Sequence, residues 1–146
     1  MLFLRELKDR IRHLRSLSEI NIIKSSVSFG FGSTGTEGKM RITISNNGST
    51  VVARLDGEID HHCAAGLRQR LDEEIADKNV LELVLDLKGV SFMDSSGLGV
   101  ILGRYKTLAA RGGLLRIINA SPRVERILKM AGVYTLIERS GRRTRA

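Results

Sequence analysis

The stretch VLELVLDLKGVSFMDSSGLGVILGRYK, Val80 to Lys106, decides how this chain folds. Residues 80–87 are nearly continuously apolar and include β-branched side chains, the pattern of a strand covered on both faces. Leu98, Ile101, Leu102, Tyr105, Leu108 and Ala109 then follow helical spacing until Gly112-Gly113 stops the helix. Between the two patterns stand Asp94, Ser95 and Ser96, three polar residues placed where a core is about to continue.

Working outward, LLRII (114–118) reads as a short buried strand, so that 80–87, a helix over 96–111 and 114–118 make a right-handed βαβ crossover. Upstream, RITIS (41–45) and VVARLDGEI (51–59) are strand-like, and Asn46-Asn47-Gly48 between them is a hairpin signal. Asp60 is placed to cap a helix with Ala64, Leu67, Leu71 and Ile75 on one face. Downstream, Ser121 caps a helix with Pro122 at its first position, Val124, Ile127, Leu128 and Ala131 inward, and Gly132 at its end. TLIE (135–138) reads as a last, weak strand. The order β-β-α-β-α-β-α-β predicts an α/β fold with a mixed sheet packed with helices. In such sheets functional loops lie beyond the carboxyl ends of strands, where Asp94 and Ser95 fall.

The organised part spans 40–138. Residues 2–17 place Leu4, Leu7, Ile11 and Leu14 on one helical face among charges, an amphipathic helix that in the simplest reading leans on the protein's own body. SSVSFGFGSTGTEGK (25–39) reads as a flexible linker. It contains Gly30-x-Gly32-x-x-Gly35, but that pattern binds dinucleotides only between a strand and a helix, and here it leads to another strand. The composition of 1–39, and Met40 standing one residue before the first strand, suggest a native start at Met40. The codons for Glu37-Gly38 fit a ribosome-binding tract just upstream. Residues 139–146 form a basic tail expected to be disordered.

The net charge of +8 is concentrated at the ends: +3 over 1–39, +1 over 40–138 and +4 over 139–146. With 4% aromatics and no Trp there is no base-stacking platform, so the basic ends read first as solvated. A basic-ended nucleic-acid or membrane-surface binder stays open as an alternative; no direct DNA binding is expected. The single Cys63 forms no internal disulfide and points to a reducing, cytoplasmic setting. No apolar stretch approaches the ~20 residues of a membrane span.

Four kinds of chemistry compete at Ser95. Helix capping accounts for one polar residue, with Ser96 the favoured cap. A serine nucleophile would need a base from His61 or His62 oriented by Asp60, but neither serine sits in a G-x-S-x-G elbow, and Asp60 adjoins His61. His61-His62-Cys63 are consecutive and diverge by about 100° on a helix, a poor zinc site; one histidine is expected to be partly buried and the other exposed. Finally, a serine at a helix mouth can receive a phosphate without breaking a core.

VLDLKGVSFMDSSGLGVILGRYK (84–106), with DGEIDHH (56–62) before it and GGLLRIINASPRVERILKMAGV (112–133) after it, resembles the anti-sigma factor antagonists of the STAS domain family. The DHH at 60–62 and the run from Ser91 to Lys106 favour the sporulation sigma-F branch over the general-stress branch, which is the alternative. The resemblance covers about 40–138 and implies a STAS fold and a role without catalysis, metal or cofactor. It implies that Ser95 is phosphorylated by the anti-sigma factor, itself an ATP-dependent serine kinase, and dephosphorylated by a PP2C-type phosphatase. The unphosphorylated form would bind the anti-sigma factor and release a sigma factor. Asp60, His61, Asp94, Ser96, Gly97, Leu98 and Gly99 would then form the partner-binding surface around Ser95. The first 39 residues depart from the family pattern, because such antagonists begin almost at their first strand.

Overall fold

The computed structural model describes residues 24–27 and 40–137. The amphipathic segment 2–17, the glycine pattern at 30–35 and the basic tail 139–146 lie outside the described residues. Five strands form one sheet in the order β1-β2-β3-β4-β5: β1 Lys24–Val27, β2 Arg41–Asn46, β3 Thr50–Ile59, β4 Glu82–Met93 and β5 Leu114–Ile118. The pairs β1–β2 and β2–β3 are antiparallel, and β3–β4 and β4–β5 parallel. Helix α1 (His61–Ile75) connects β3 to β4, and α2 (Ser95–Ala109) connects β4 to β5. Helix α3 (Pro122–Met130) and a short α4 (133–137) follow. The fold is the mixed α/β arrangement expected.

Most of the local signals work as read, although Ala131, expected to face inward, is exposed at the end of α3. Gly48, at φ 92°, closes the β2–β3 hairpin, where Asn47 N–H donates to the Thr50 carbonyl at 3.1 Å. Ser121 accepts from Val124 N–H, Pro122 opens α3, and Gly132 ends it at φ 73°. Cys63, Leu67, Leu71 and Ile75 of α1 and Val100, Ile101 and Leu108 of α2 share one core with Ile42, Ile44, Val51, Ala53, Leu55, Leu83 and Leu85. Burying each such side chain is worth about 1.5–3 kcal/mol, which makes this layer the main source of stability.

Three elements differ from expectation. The weak strand at 135–138 is helical through 137. Val133 is buried and Tyr134 and Ile137 pack on the core, a helical spacing, and Leu136 N–H reaches the Gly132 carbonyl at 3.5 Å. The strand read at 80–87 begins at Glu82 and runs on to Met93, pairing with β3 through register shifts between Arg54 and Asp56 and between Gly57 and Glu58. Each shift inserts an extra residue into β4, which breaks the alternation a sequence reading relies on. Third, the stretch read as a flexible linker contributes Ser25–Val27 to β1, which pairs along β2 and covers an edge that would otherwise lie open.

Candidate functional site

Two parallel strands end side by side, with Ile59 of β3 registered against Met93 of β4. Each is followed at once by an aspartate and then a helix. Asp60 and Asp94 both adopt extended backbone, φ −119° and −104°, and both use the side chain as an N-cap. The Asp60 carboxylate accepts from His62 N–H at 2.9 Å and Cys63 N–H at 3.2 Å. The Asp94 carboxylate accepts from Ser96 N–H at 2.8 Å and Gly97 N–H at 3.2 Å. The repeat has a direct physical cause: a helix leaves its first N–H groups unpaired, and a short carboxylate is among the best local acceptors. Asp94 N–H also donates to the Ile59 carbonyl at 3.1 Å, tying the two helix mouths together.

The cap of α2 is therefore Asp94, not Ser96 as the sequence suggested. Asp and Ser cap almost equally well, so which of the two takes the position is set by where β4 ends. Ser95 becomes the first residue of the helix and is exposed, and its hydroxyl makes no hydrogen bond among the described residues. Ser96 is partly buried and supplies its N–H to the cap.

Gly97 and Gly99 play different parts. A Cβ on Gly97 would lie 2.7 Å from Met93 Cγ and 2.8 Å from Ile59 Cγ2, so this glycine lets the helix press on the two strand ends. Gly99 is exposed, with nothing within 4 Å of a Cβ placed there. Leu98 is partly buried and packs against the core.

Both histidines are exposed, where one was expected to be partly buried, and their rings stack with centroids 3.9 Å apart. They lie on the water side of α1 because Cys63 takes the inward position, its thiol donating to the Glu58 carbonyl at 3.4 Å. Burial raises the Cys63 thiol above its ordinary pKa. Desolvation pulls the Asp60 carboxyl upward, but the backbone hydrogen bonds from His62 and Cys63, with the nearby imidazoles, outweigh it and hold the carboxyl below its usual value. With its carboxylate engaged by backbone N–H groups, Asp60 is not orienting a histidine ring toward a serine. Cys63 points inward while the histidines point outward, and among the described residues no three His, Cys, Asp or Glu side chains converge for a metal.

The site thus brings together Asp60, His61, Asp94, Ser95, Ser96, Gly97 and Gly99 at one end of the sheet. It carries an exposed, unengaged hydroxyl at the positive end of a helix. Sequence reasoning missed the Ile59 carbonyl, whose bond to Asp94 links the two loops. A backbone acceptor has no signature in the residue letters.

The chain matches the STAS domain model over residues 41–145. It is 40% identical over 98 residues to the anti-sigma F factor antagonist of Paenibacillus polymyxa, covering 67% of this chain and 84% of that one. It is 33% identical over 103 residues to the anti-sigma-B factor antagonist of Bacillus subtilis (strain 168), covering 70% and 93%. Among solved structures, the anti-sigma factor antagonist SpoIIAA in its unphosphorylated form superposes with a TM-score of 0.56 at 36% identity, covering 62% of this chain and 80% of that one. The phosphorylated form of the Bacillus cell fate determinant SpoIIAA superposes with a TM-score of 0.53 at 34% identity, over 65% and 86%.

Proposed function

The chain belongs to the STAS domain family, and from that membership we propose that it is an anti-sigma factor antagonist switched by phosphorylation of Ser95. The observation that carries the switch is the position of Ser95: first residue of α2, exposed, beside the Asp94 cap. A kinase can reach this hydroxyl, and the added dianion meets the helix N-terminus rather than the core.

The unphosphorylated protein binds an anti-sigma factor that is itself a serine kinase, through Asp60, His61, Asp94, Ser96, Leu98 and the open surface at Gly99. Gly97 acts beneath that surface by letting the helix sit close. Phosphate on Ser95 adds about −1.5 to −2 charges next to Asp94 within a contact shaped for a neutral hydroxyl. Each tenfold loss of affinity corresponds to about 1.4 kcal/mol, and an ill-paired charge in a closed contact supplies several such steps. A PP2C-type phosphatase restores binding. We assign the sporulation sigma-F type, supported by the Asp60-His61-His62 loop and by the 40% identity to a sigma-F antagonist. The general-stress type is the second reading, supported by the 33% identity to a sigma-B antagonist that matches over 93% of its length.

Purified protein incubated with anti-sigma kinases of both types and ATP tests this. We expect phosphate on Ser95 by mass spectrometry, from the sigma-F kinase. Ser95→Ala should bind the kinase constitutively and Ser95→Asp poorly. Phosphate on Ser96 with Ser95 untouched would overturn the site, and no phosphate on either would overturn the mechanism.

A further inference from the structure

On the α3 side, the rim of the site carries an arginine that the fold does not use. Arg123 is the second residue of α3, after the Ser121 cap and Pro122, and it is exposed. The unpaired N–H groups at a helix start favour an anion and disfavour a cation, so helix formation does not call for arginine there. Glu125 supplies the acid that the first turn favours, and it pairs with Lys129 at 3.5 Å. Arg54, Arg70, Arg104 and Arg116 each pair with a carboxylate; among the described residues Arg123 pairs with none.

What orients Arg123 is an aromatic ring. Its guanidinium carbon stands over Phe92, 5.6 Å from the ring centroid, within the range of a cation–π contact. Phe92 is registered against Glu58, one step before the Ile59–Met93 pair that carries the two helix mouths. Met93 is buried beneath Gly97, so alternation turns Phe92 to the other side of the strand, at the border of the surface that holds Asp60, Asp94 and Ser95. A ring over one face of a guanidinium leaves its N–H edge open. That planar fork of donors matches a carboxylate, which it can grip with two parallel hydrogen bonds. Glu58, opposite Phe92 in the register, is itself exposed and is not the acid that pairs with it.

We propose that Arg123, oriented by Phe92, is a specificity-determining residue of the partner surface, pairing with an aspartate or glutamate of the anti-sigma kinase that binds at Ser95. The proposal rests on the antagonist reading above and extends that surface from the mouths of α1 and α2 to the mouth of α3. A charge at the rim of a contact acts mainly on the rate of association and on its salt dependence.

Surface plasmon resonance of the unphosphorylated full chain on the kinase that phosphorylates Ser95, with ADP and no ATP, tests this. Arg123→Gln should slow association and raise Kd about fivefold to tenfold at low salt, and the difference should shrink as salt rises. Arg123→Lys keeps the charge but not the planar fork, and should recover only part of the loss. Phe92→Leu should weaken binding when Arg123 is present and add little to Arg123→Gln, a coupling that a double-mutant cycle reads. Lys78→Gln removes the same charge from an exposed residue ahead of β4, at the opposite end of the sheet, and should bind as wild type. An equal loss in Lys78→Gln would make net charge the cause and overturn the proposal. So would wild-type affinity in Arg123→Gln, the result for an arginine that is only solvated or that serves only a phosphate on Ser95. Fully additive losses in the cycle, or a loss in Arg123→Gln accompanied by a lower melting temperature, would also overturn it. If Phe92→Leu does not fold, the two Arg123 variants decide. Wild-type protein that binds neither type of kinase would overturn the antagonist reading, and this inference with it.

Discussion

The backbone N–H of Asp94 donates to the carbonyl of Ile59 at 3.1 Å, so the loop that opens α2 hangs from the loop that opens α1. Asp60 follows Ile59 directly, and each aspartate caps its own helix. The exposed Ser95 and the exposed His61–His62 pair are consequently held as one surface.

Removing a cap should cost the helix it serves. Asp94→Ala should lower stability by about 1 kcal/mol in chemical denaturation, and Asp60→Ala by a similar amount. Ser96→Ala, which removes a hydroxyl that does not cap, should stay within about 0.5 kcal/mol of wild type. A larger loss at Ser96 than at Asp94 would mean that the helix begins elsewhere.

The two glycines of the site should separate packing from contact. Gly97→Ala forces a methyl against Met93 and Ile59 and should cost on the order of 1–3 kcal/mol. Gly99→Ala enters open space within a helix and should gain roughly 0.5–1 kcal/mol. Gly99→Arg should keep a wild-type circular dichroism spectrum and melting curve while weakening kinase binding in titration calorimetry. Unfolding of Gly99→Arg would remove the distinction.

Gly89 of β4 faces Asp56 of β3 at a shift in the strand register. A Cβ there would collide with the Asp56 carboxylate and lie 3.1 Å from its Cα. Gly89→Ala should therefore destabilise by roughly 1–3 kcal/mol, and by less in an Asp56→Ala background. Equal costs in both backgrounds, measured as a double-mutant cycle in urea, would show that backbone rather than the carboxylate sets the limit.

Glu82 gives a pH dependence. A carboxyl raised above its ordinary value of 4.5 holds its proton more tightly in the folded protein than in the unfolded chain. Its contribution to stability is thus fully present below the ordinary value and is lost as pH rises through the raised one. Glu82→Gln should be more stable than wild type near pH 7, with the difference vanishing at about pH 4. Urea midpoints at the two pH values decide, and a variant less stable at pH 7 would show that the ion pair with Arg116 outweighs the burial.

The sequence by itself determined the alternation of strands and helices, the hairpin at Asn46–Gly48, the caps at Asp60 and Ser121 and the inward faces of α1 and α2. These follow from periodicity and from the chemistry of neighbouring residues, both of which are local. The family resemblance was legible for the same reason, because its motifs are contiguous runs. Tertiary structure alone decided that β4 continues to Met93, since the register shifts against β3 destroy the alternation that would have announced it. It made 133–137 a helix, because Val133, Tyr134 and Ile137 found the core on one side, and packing overrides a weak β propensity. It moved the cap from Ser96 to Asp94 and left Ser95 exposed, because the end of β4 sets where α2 begins. It also brought Asp60 and Asp94 together, because Ile59 pairs with Met93, and pairing between distant residues depends on the whole sheet rather than on either sequence neighbourhood.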